Sequence, residues 1–216
     1  MEKDQFDFSH RPINDFIAEL SGNAPVPGGG GASALVGMIG MALGNMVGSL
    51  TAGKQKYADV QEDIVRLNEE AEKICGELSA LIDEDAKVFL PLSRAYKMPT
   101  STPEEKAEKT AVMEQALVSC CEVPIRIMEY CGRAIELLKE YAEKGSVLAI
   151  SDAGVGAICC KAALKGAALN VYINTGSMQD KNQAQKYNAR TEALIEHYSV
   201  LADEIYYSVS TRLKKE

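Results

Sequence analysis

The stretch Pro25–Lys56, PVPGGGGASALVGMIGMALGNMVGSLTAGKQK, decides the fold. It opens with Pro25 and Pro27, passes through the consecutive glycines Gly28, Gly29, Gly30 and Gly31, and then runs small or apolar. No charged residue lies between Glu19 and Lys54. After Pro27 the length of the run and the lack of strong breakers predict a helix ending near Thr51–Gly53. Gly37, Gly40, Gly44 and Gly48 fall inside it at helical spacings. Four such glycines cost a helix on the order of 4 kcal/mol against alanine. Close approach of another backbone along the small-residue stripe is the expected compensation. The stretch therefore reads as a buried central helix. Other helices of the chain, or the same helix of a second subunit, pack on its glycines.

A membrane span would share this length and spacing. Against it stand the glycine content, Asn45 and Ser49 within the run, and the want of a second hydrophobic segment of like quality; no membrane partner is expected. Gly29 to Ala34 formally fits G-x-G-x-x-A, but that fingerprint needs a strand before it, and LSGNAPVP is a turn-rich loop. No Walker A pattern follows either. What remains is a glycine loop feeding a helix N-terminus, whose free backbone N–H groups suit an anion or a polar ligand group. The alternative is a purely structural loop.

Outward from this stretch, 216 residues are compatible with one domain, residues 1–216, with a sizeable core. A net charge of −8 with no basic stripe argues against a nucleic-acid partner. Trp is absent, while Ala, Glu, Leu and Lys are abundant, a profile that suits helices. The expected class is all-α: a bundle of about six helices, several long, around the buried glycine-rich helix. The start, MEKDQFDFSHR, lacks the apolar core of a signal peptide. Six cysteines include the adjacent pairs Cys120–Cys121 and Cys159–Cys160 but no C-x-x-C. They read as reduced, mostly buried thiols of a cytoplasmic protein. His10 and His197 lie far apart near the termini, and no metal site is expected from them.

Residues 12–20 predict a short helix with Ile13, Phe16, Ile17 and Leu20 on one face. A long helix begins near Tyr57, with Val60, Ile64, Leu67, Ala71, Ile74, Leu78 and Leu81 forming an unbroken core seam. The next seam position is Asp85. Thr102 is placed to cap a fourth helix, with Glu105 three residues on, running to about Ala142 with a kink at Pro124 and closed by Gly145. Ser151 reads as the N-cap of a fifth helix with Asp152 in its first turn. One face of that helix, from Asp152 through Gly156, Cys159, Ala163 and Gly166 to Asn170 and Asn174, is small and polar. A sixth helix runs from Asp180 to the C-terminus, with Ala189, Ala193, Ile195, Tyr198 and Leu201 available for packing.

Three groups could carry chemistry. A buried unpaired carboxylate at Asp85 costs several kcal/mol or takes up a proton; the alternatives are a salt bridge, a cap to a neighbouring helix, or a seam shift that turns it to solvent. Asn170 and Asn174, with Asp152 upstream, form a polar line that could equally satisfy buried carbonyls. Lys54, Gln55, Lys56 and Tyr57 offer cations, or else an ordinary solvated helix end. Together these groups suit a nitrogenous, anionic small molecule.

PVPGGGGASAL, GNMVGSLTAGKQKY, LIDEDAKVF and SDAGVGAICCKAALKGAALNVYINTGSMQD resemble, in that order, the cyclodeaminase domain of formiminotransferase-cyclodeaminase and the stand-alone methenyltetrahydrofolate cyclohydrolases. The resemblance covers nearly the whole chain. It implies an all-helical homodimer that binds folate near the subunit interface and acts on the one-carbon unit bridging N5 and N10 of tetrahydrofolate. It implies no prosthetic group, with a tetrahydrofolate derivative as substrate. By motif it implies catalytic roles for Asp85, Lys54 and Asp152, and substrate contacts from Gly28, Gly29, Gly30, Gly31, Lys56, Ser151, Asn170 and Asn174. Relatives tend to carry an Asn shortly before the Ser-Asp, where this chain has Gly145-Ser146. The formiminotransferase domain is missing from the sequence, so a formimino substrate would come from a separate formiminotransferase. A non-catalytic folate-binding or scaffold dimer is the second reading. The glycine stripe and the small face of the fifth helix are the expected dimer contact.

Overall fold

The computed structural model describes residues 6–214, so the first part of the N-terminal segment read for a signal lies outside it. Among the described residues six α-helices follow one another: α1 (Ile13–Leu20), α2 (Gly29–Ser49), α3 (Gln61–Tyr96), α4 (Pro103–Lys144), α5 (Ile150–Ser177) and α6 (Lys181–Lys214). Short 3-10 turns precede α1, α3 and α5, and no strand occurs among the described residues.

The glycines of α2 make the centre possible. A Cβ added at Gly37 would stand 2.7 Å from Cys131 Sγ of α4, and one at Gly44 would stand 2.9 Å from Leu138 Cδ2 of the same helix. At Gly40 it would meet Cys160 Sγ at 2.6 Å and the Gly156 carbonyl of α5 at 2.8 Å. Backbone approach of this order offsets the propensity cost of the glycines by burying both helices at close range. The stripe is therefore filled by the chain's own α4 and α5. The expectation that it forms the dimer contact is corrected, and so is that for the small face of α5, which lies against α2. The two helices run antiparallel: Gly29 lies by Asn170, Ser33 by Gly166, and Gly40 by Gly156.

α3 lays its seam against this pair, with Ile64, Leu67, Ala71, Ile74, Leu78 and Leu81 all buried. It starts at Gln61, later than expected, because Gln55–Val60 form a 3-10 turn. α4 opens on the expected capping box, in which Thr102 Oγ1 accepts the Glu105 N–H and the Glu105 carboxylate accepts the Thr102 N–H, both at 3.1 Å. The helix runs through Pro124. Pro124 has no N–H, so the Cys120 carbonyl loses its intrahelical donor. Asn174 Nδ2 of α5 replaces it at 2.7 Å.

Three further expectations are corrected. Ser151 is not an N-cap: α5 begins at Ile150 with Ala149 at the cap, because the 3-10 turn Val147–Ala149 already starts the coil. In α1 only Phe16 is buried, while Ile13 and Ile17 stay exposed. In α6, Ile195, Tyr198 and Leu201 pack against the core as expected, but Ala189 and Ala193 are exposed, and the fully buried residues are Ala184, Tyr187, Thr191, Ala202, Ile205 and Val209. The helix phase is set by Asp180, whose Oδ1 accepts the Asn182 and Gln183 N–H groups at 3.0 and 2.9 Å. Ala189 then falls about 200° round from Tyr187.

A second hydrophobic segment of like quality does exist. Both Gly29–Ser49 and Val147–Ser177 are long and apolar enough to cross a membrane, with mean hydropathy 1.4 and 1.7. Half of each window is buried inside the fold. The other half leaves an apolar outer side, with Ile39, Met46 and Leu50 exposed on α2 and Val155, Ile158, Leu169 and Ile173 on α5.

Candidate active site

The glycine loop and Asp85 meet at the N-terminal end of α2. Gly28 is extended and Gly29 begins the helix. Asp85, on α3, occupies its seam position and turns its carboxylate onto this first turn. A Cβ at Gly30 would stand 2.5 Å from Asp85 Cγ, so only glycine leaves the carboxylate room. Asp85 Oδ2 accepts the Gly31 N–H at 2.9 Å, one of the donors that a helix start leaves without an intrahelical partner. Among the described residues no Lys, Arg or His pairs with it, which removes the salt-bridge alternative and leaves the cap. Burial raises the Asp85 carboxyl to about 6 from 3.8, while the Gly31 hydrogen bond pulls the other way. Desolvation wins, so this carboxyl exchanges its proton near neutral pH.

Asn170 stands against the same turn, 3.3 Å from the position of a Gly29 Cβ, with its Nδ2 donating to the Gly166 carbonyl at 2.9 Å. Its amide oxygen faces Gly29. Asn174 has a structural role, its Nδ2 being committed to the Cys120 carbonyl. Ser33 Oγ donates to the Gly29 carbonyl at 2.7 Å and closes the turn from inside.

The other end of α2 is cationic and exposed. Gly53 adopts φ +71, a left-handed turn that reverses the chain into Lys54. Gln61 ties the turn, its Oε1 accepting the Gly53 N–H at 2.7 Å and its Nε2 donating to the Tyr57 carbonyl at 2.8 Å. Two bonds join it to the segment before α5: the Ser146 N–H donates to Thr51 Oγ1 at 2.7 Å, and the Val147 N–H to Tyr57 Oη at 3.1 Å. The Val147 donor and then Ser146 hold the Tyr57 phenol below its usual range, with Lys56 and Lys54 adding to the effect. Lys54 and Lys56 are both exposed, Lys56 Nζ lying 5.5 Å from the Tyr57 ring.

The sequence-derived set is thus divided. Gly28 to Gly31, Asp85 and Asn170 come together at one end, with Asn174 one turn beyond. Lys54, Lys56, Ser151 and Asp152 lie at the other, because α5 is antiparallel to α2 and starts beside the end of it. The twenty residue steps from Gly29 to Ser49 put about 30 Å between the two groups. Tyr57 enters from sequence only as a neighbour of Lys54 and Lys56, Ser146 only within the Gly145-Ser146 departure and Thr51 only as a helix end, because the bonds that join them are long-range. The departure at Gly145-Ser146 sits in this joint, where Ser146 is buried and a Cβ at 145 would stand 2.5 Å from the Tyr141 carbonyl oxygen.

His10, expected to be uninvolved in metal binding, does lie with Asp7 and Asp83, their ligand atoms within 4.8 Å of one another. Asp83 is already engaged by the Phe8 and Ser9 N–H groups at 2.7 and 3.2 Å and by Ser9 Oγ at 2.7 Å, so the cluster clasps the N-terminal arm to α3. All six cysteines are free. Burial pushes the Cys120, Cys121 and Cys131 thiols up to about 12, which marks them as packing groups.

Residues 12–193 match the family described as formiminotransferase-cyclodeaminase. The chain is 37% identical over 201 residues to the methenyltetrahydrofolate cyclohydrolase of Methylorubrum extorquens, covering 93% of this chain and 97% of that protein. It is 29% identical over 200 residues to the formimidoyltransferase-cyclodeaminase of Rattus norvegicus, covering 93% of this chain but only 37% of that longer protein. The crystal structure of formiminotetrahydrofolate cyclodeaminase from Thermotoga maritima shares the fold with a TM-score of 0.77 at 25% identity, over 94% of this chain and 95% of that one. With the glycine turn, the seam carboxylate and these matches in hand, the chain belongs to the formiminotransferase-cyclodeaminase family.

Proposed function

We propose that this protein is a folate one-carbon enzyme acting on the bridge between N5 and N10 of tetrahydrofolate, with hydrolysis of 5,10-methenyltetrahydrofolate as its first activity. The observation that carries the reading is Asp85, a carboxylate in an apolar seam, held over glycines and titrating near neutral pH. In the hydrolytic direction Asp85 takes a proton from the water that attacks the methenyl carbon. It returns that proton to N5 as the carbon–N5 bond breaks. The hydroxyl proton leaves to solvent, giving 10-formyltetrahydrofolate. As the ionised group it also faces the amidinium cation of the substrate. The full-length similarity to a cyclohydrolase supports this direction. Cyclodeamination, in which N10 closes onto a formimino carbon and ammonia leaves, is the second reading, supported by the shared fold of the Thermotoga protein. In that case a separate formiminotransferase supplies the substrate.

The chain acts as one helical domain, and the apolar outer sides of α2 and α5 support a homodimer. Six free thiols support a reducing, cytoplasmic setting. Neither activity requires a metal or a prosthetic group. Lys54 and Lys56 bind the anionic tail of the folate or assist as acid, Asp152 and Ser151 sit beside them, and Asn170 contacts the ligand at the glycine turn. The deciding measurement is loss of methenyltetrahydrofolate absorbance set beside ammonia release from formiminotetrahydrofolate. Turnover of the first alone supports hydrolysis, and turnover of the second supports deamination. Tight folate binding with neither would turn the reading to a non-catalytic folate-binding dimer.

A further inference from the structure

Past the glycine turn, α3 carries on where α2 has stopped. The two helices are antiparallel, with Gly48 by Asn68, Gly37 by Leu78 and Gly30 by Asp85. Gly29 is the first residue of α2, and the chain before it is the extended Gly28. α3 runs on from Asp85 to Tyr96. Phe89 is the next residue on the side that carries Asp85. It lies about 40° round from Asp85 and about 6 Å along the axis, and long helical side chains lean back over the preceding turn. The rotation of α3 is fixed from its other sides. Asp83 Oδ1 accepts the Phe8 N–H of the N-terminal arm at 2.7 Å, and the Val88 carbonyl accepts from Cys120 Sγ of α4 at 3.3 Å. Phe89 is half-buried against the core, whereas Tyr96, about 20° round from Asp85, is 49% exposed. Phe89 thus stands over the end of α2, beside the bare amides of its first turn.

We propose that the Phe89 ring is the face on which the flat, cationic one-carbon unit of the substrate is held, and that it selects this cation over folates uncharged there. The inference deepens the folate reading and rests on it. Both candidate substrates carry the one-carbon unit as an amidinium, planar and with its charge spread over two nitrogens. The face of an aromatic ring is negative, so a flat cation stacks on it, most strongly where water is excluded. The surroundings of Asp85 are complementary to such a group. Among the described residues no Lys, Arg or His pairs with the carboxylate, whose one protein partner there is the Gly31 N–H. The positive charge at this end comes with the ligand. Leucine at position 89 would fill similar space in the helix face, but only an aromatic residue adds attraction for a cation. The two side chains divide the work: Asp85 moves the proton, and Phe89 holds the charge without titrating.

The test compares a ligand that carries the cation, 5,10-methenyltetrahydrofolate, with 5-formyltetrahydrofolate, which is uncharged at its one-carbon unit. In Phe89→Leu the KM for the first should rise about ten-fold, while the Kd for the second rises no more than about two-fold. Phe89→Trp should bring KM back to within about two-fold of the wild type. The chain has no tryptophan of its own, so the emission of this variant reports on position 89 alone and should be quenched when 5-formyltetrahydrofolate is added. Equal losses for both ligands together with a lower Tm would mark Phe89 as a packing residue and overturn the selection. An unchanged KM in a folded Phe89→Leu, or emission from Phe89→Trp that ignores the ligand, would overturn it as well. Should Phe89→Leu not fold, pentafluorophenylalanine at position 89 decides, because it keeps the shape and reverses the charge of the ring face. Weaker binding of the cation alone supports the inference, and unchanged binding overturns it. If the wild type neither binds nor turns over either folate, the folate reading fails and takes the inference with it. Wild-type turnover beside an unaffected Phe89→Leu strikes the inference alone.

Discussion

The two ends of α2 are built from opposite means. At its start, three glycines bring a carboxylate onto bare backbone amides, and burial raises its proton affinity. At its finish, a left-handed glycine, a glutamine clamp and a tyrosine hold two lysines out in water. Burial makes a group reactive because its charged form is no longer stabilised by solvent. Exposure leaves a group free to recognise, with interactions screened over about 10 Å at ordinary salt. The first end therefore suits proton transfer and the second suits attraction of an anion.

The most severe test of this contrast is Asp85→Asn. The amide still accepts from Gly31 but takes no proton, so kcat should fall by roughly 10²–10⁴ while the fold and folate binding persist. A near-normal kcat in a stable variant would move the chemistry to the lysine end. Gly30→Ala should rank next. Its Cβ displaces the Asp85 carboxylate, and overpacking of this kind costs about 1–3 kcal/mol, visible as a lower Tm together with lost turnover. Gly44→Leu, away from both ends, should cost a similar amount or more through Leu138 and Tyr141 while leaving the pH profile of the residual activity unchanged.

The pH dependence sharpens the comparison further. Asp85 is raised in the folded protein to about 6 from 3.8. Ionising it is therefore harder folded than unfolded, and the stability associated with its neutral form is present below about pH 4 and lost as pH rises through 6. The difference between the two states corresponds to about 3 kcal/mol. Asp85→Asn should remove that loss, so its Tm relative to wild type should be higher at pH 8 than at pH 4. In the wild type kcat/KM should climb as pH rises through 6. A flat Tm difference between the two proteins would show that the carboxylate is not desolvated. The smallest effect is expected at the exposed end: Lys56→Gln should raise KM a few-fold, more for a polyglutamylated folate, with kcat little changed.

The core seam was legible because seven apolar positions from Val60 to Leu81 keep one period, and Asp85 stood out as the break in it. The glycine stripe announced close packing, but spacing alone does not name the partner. Only the approach of Leu138, Cys131 and Gly156 shows that the chain fills the stripe itself. Ser151 looked like a cap because serine before a helix usually is one, and the preceding 3-10 turn took that place. The separation of Lys54 from Asp85 follows from the antiparallel pairing of α2 and α5, a long-range fact that no local pattern encodes. Asn174 read as a ligand contact, although its amide is committed inside the bundle by a proline on another helix.

That proline and that amide form a pair whose fates are tied. Wherever the equivalent of Pro124 has mutated to a residue with an N–H, the Cys120 carbonyl regains its donor within α4, and the amide at 174 is released. Among related chains the two positions should therefore substitute together, proline with asparagine and non-proline with a freely drifting residue. Pro124→Ala with Asn174→Leu in this protein should be far better tolerated than Asn174→Leu alone, a coupled history written into one carbonyl group.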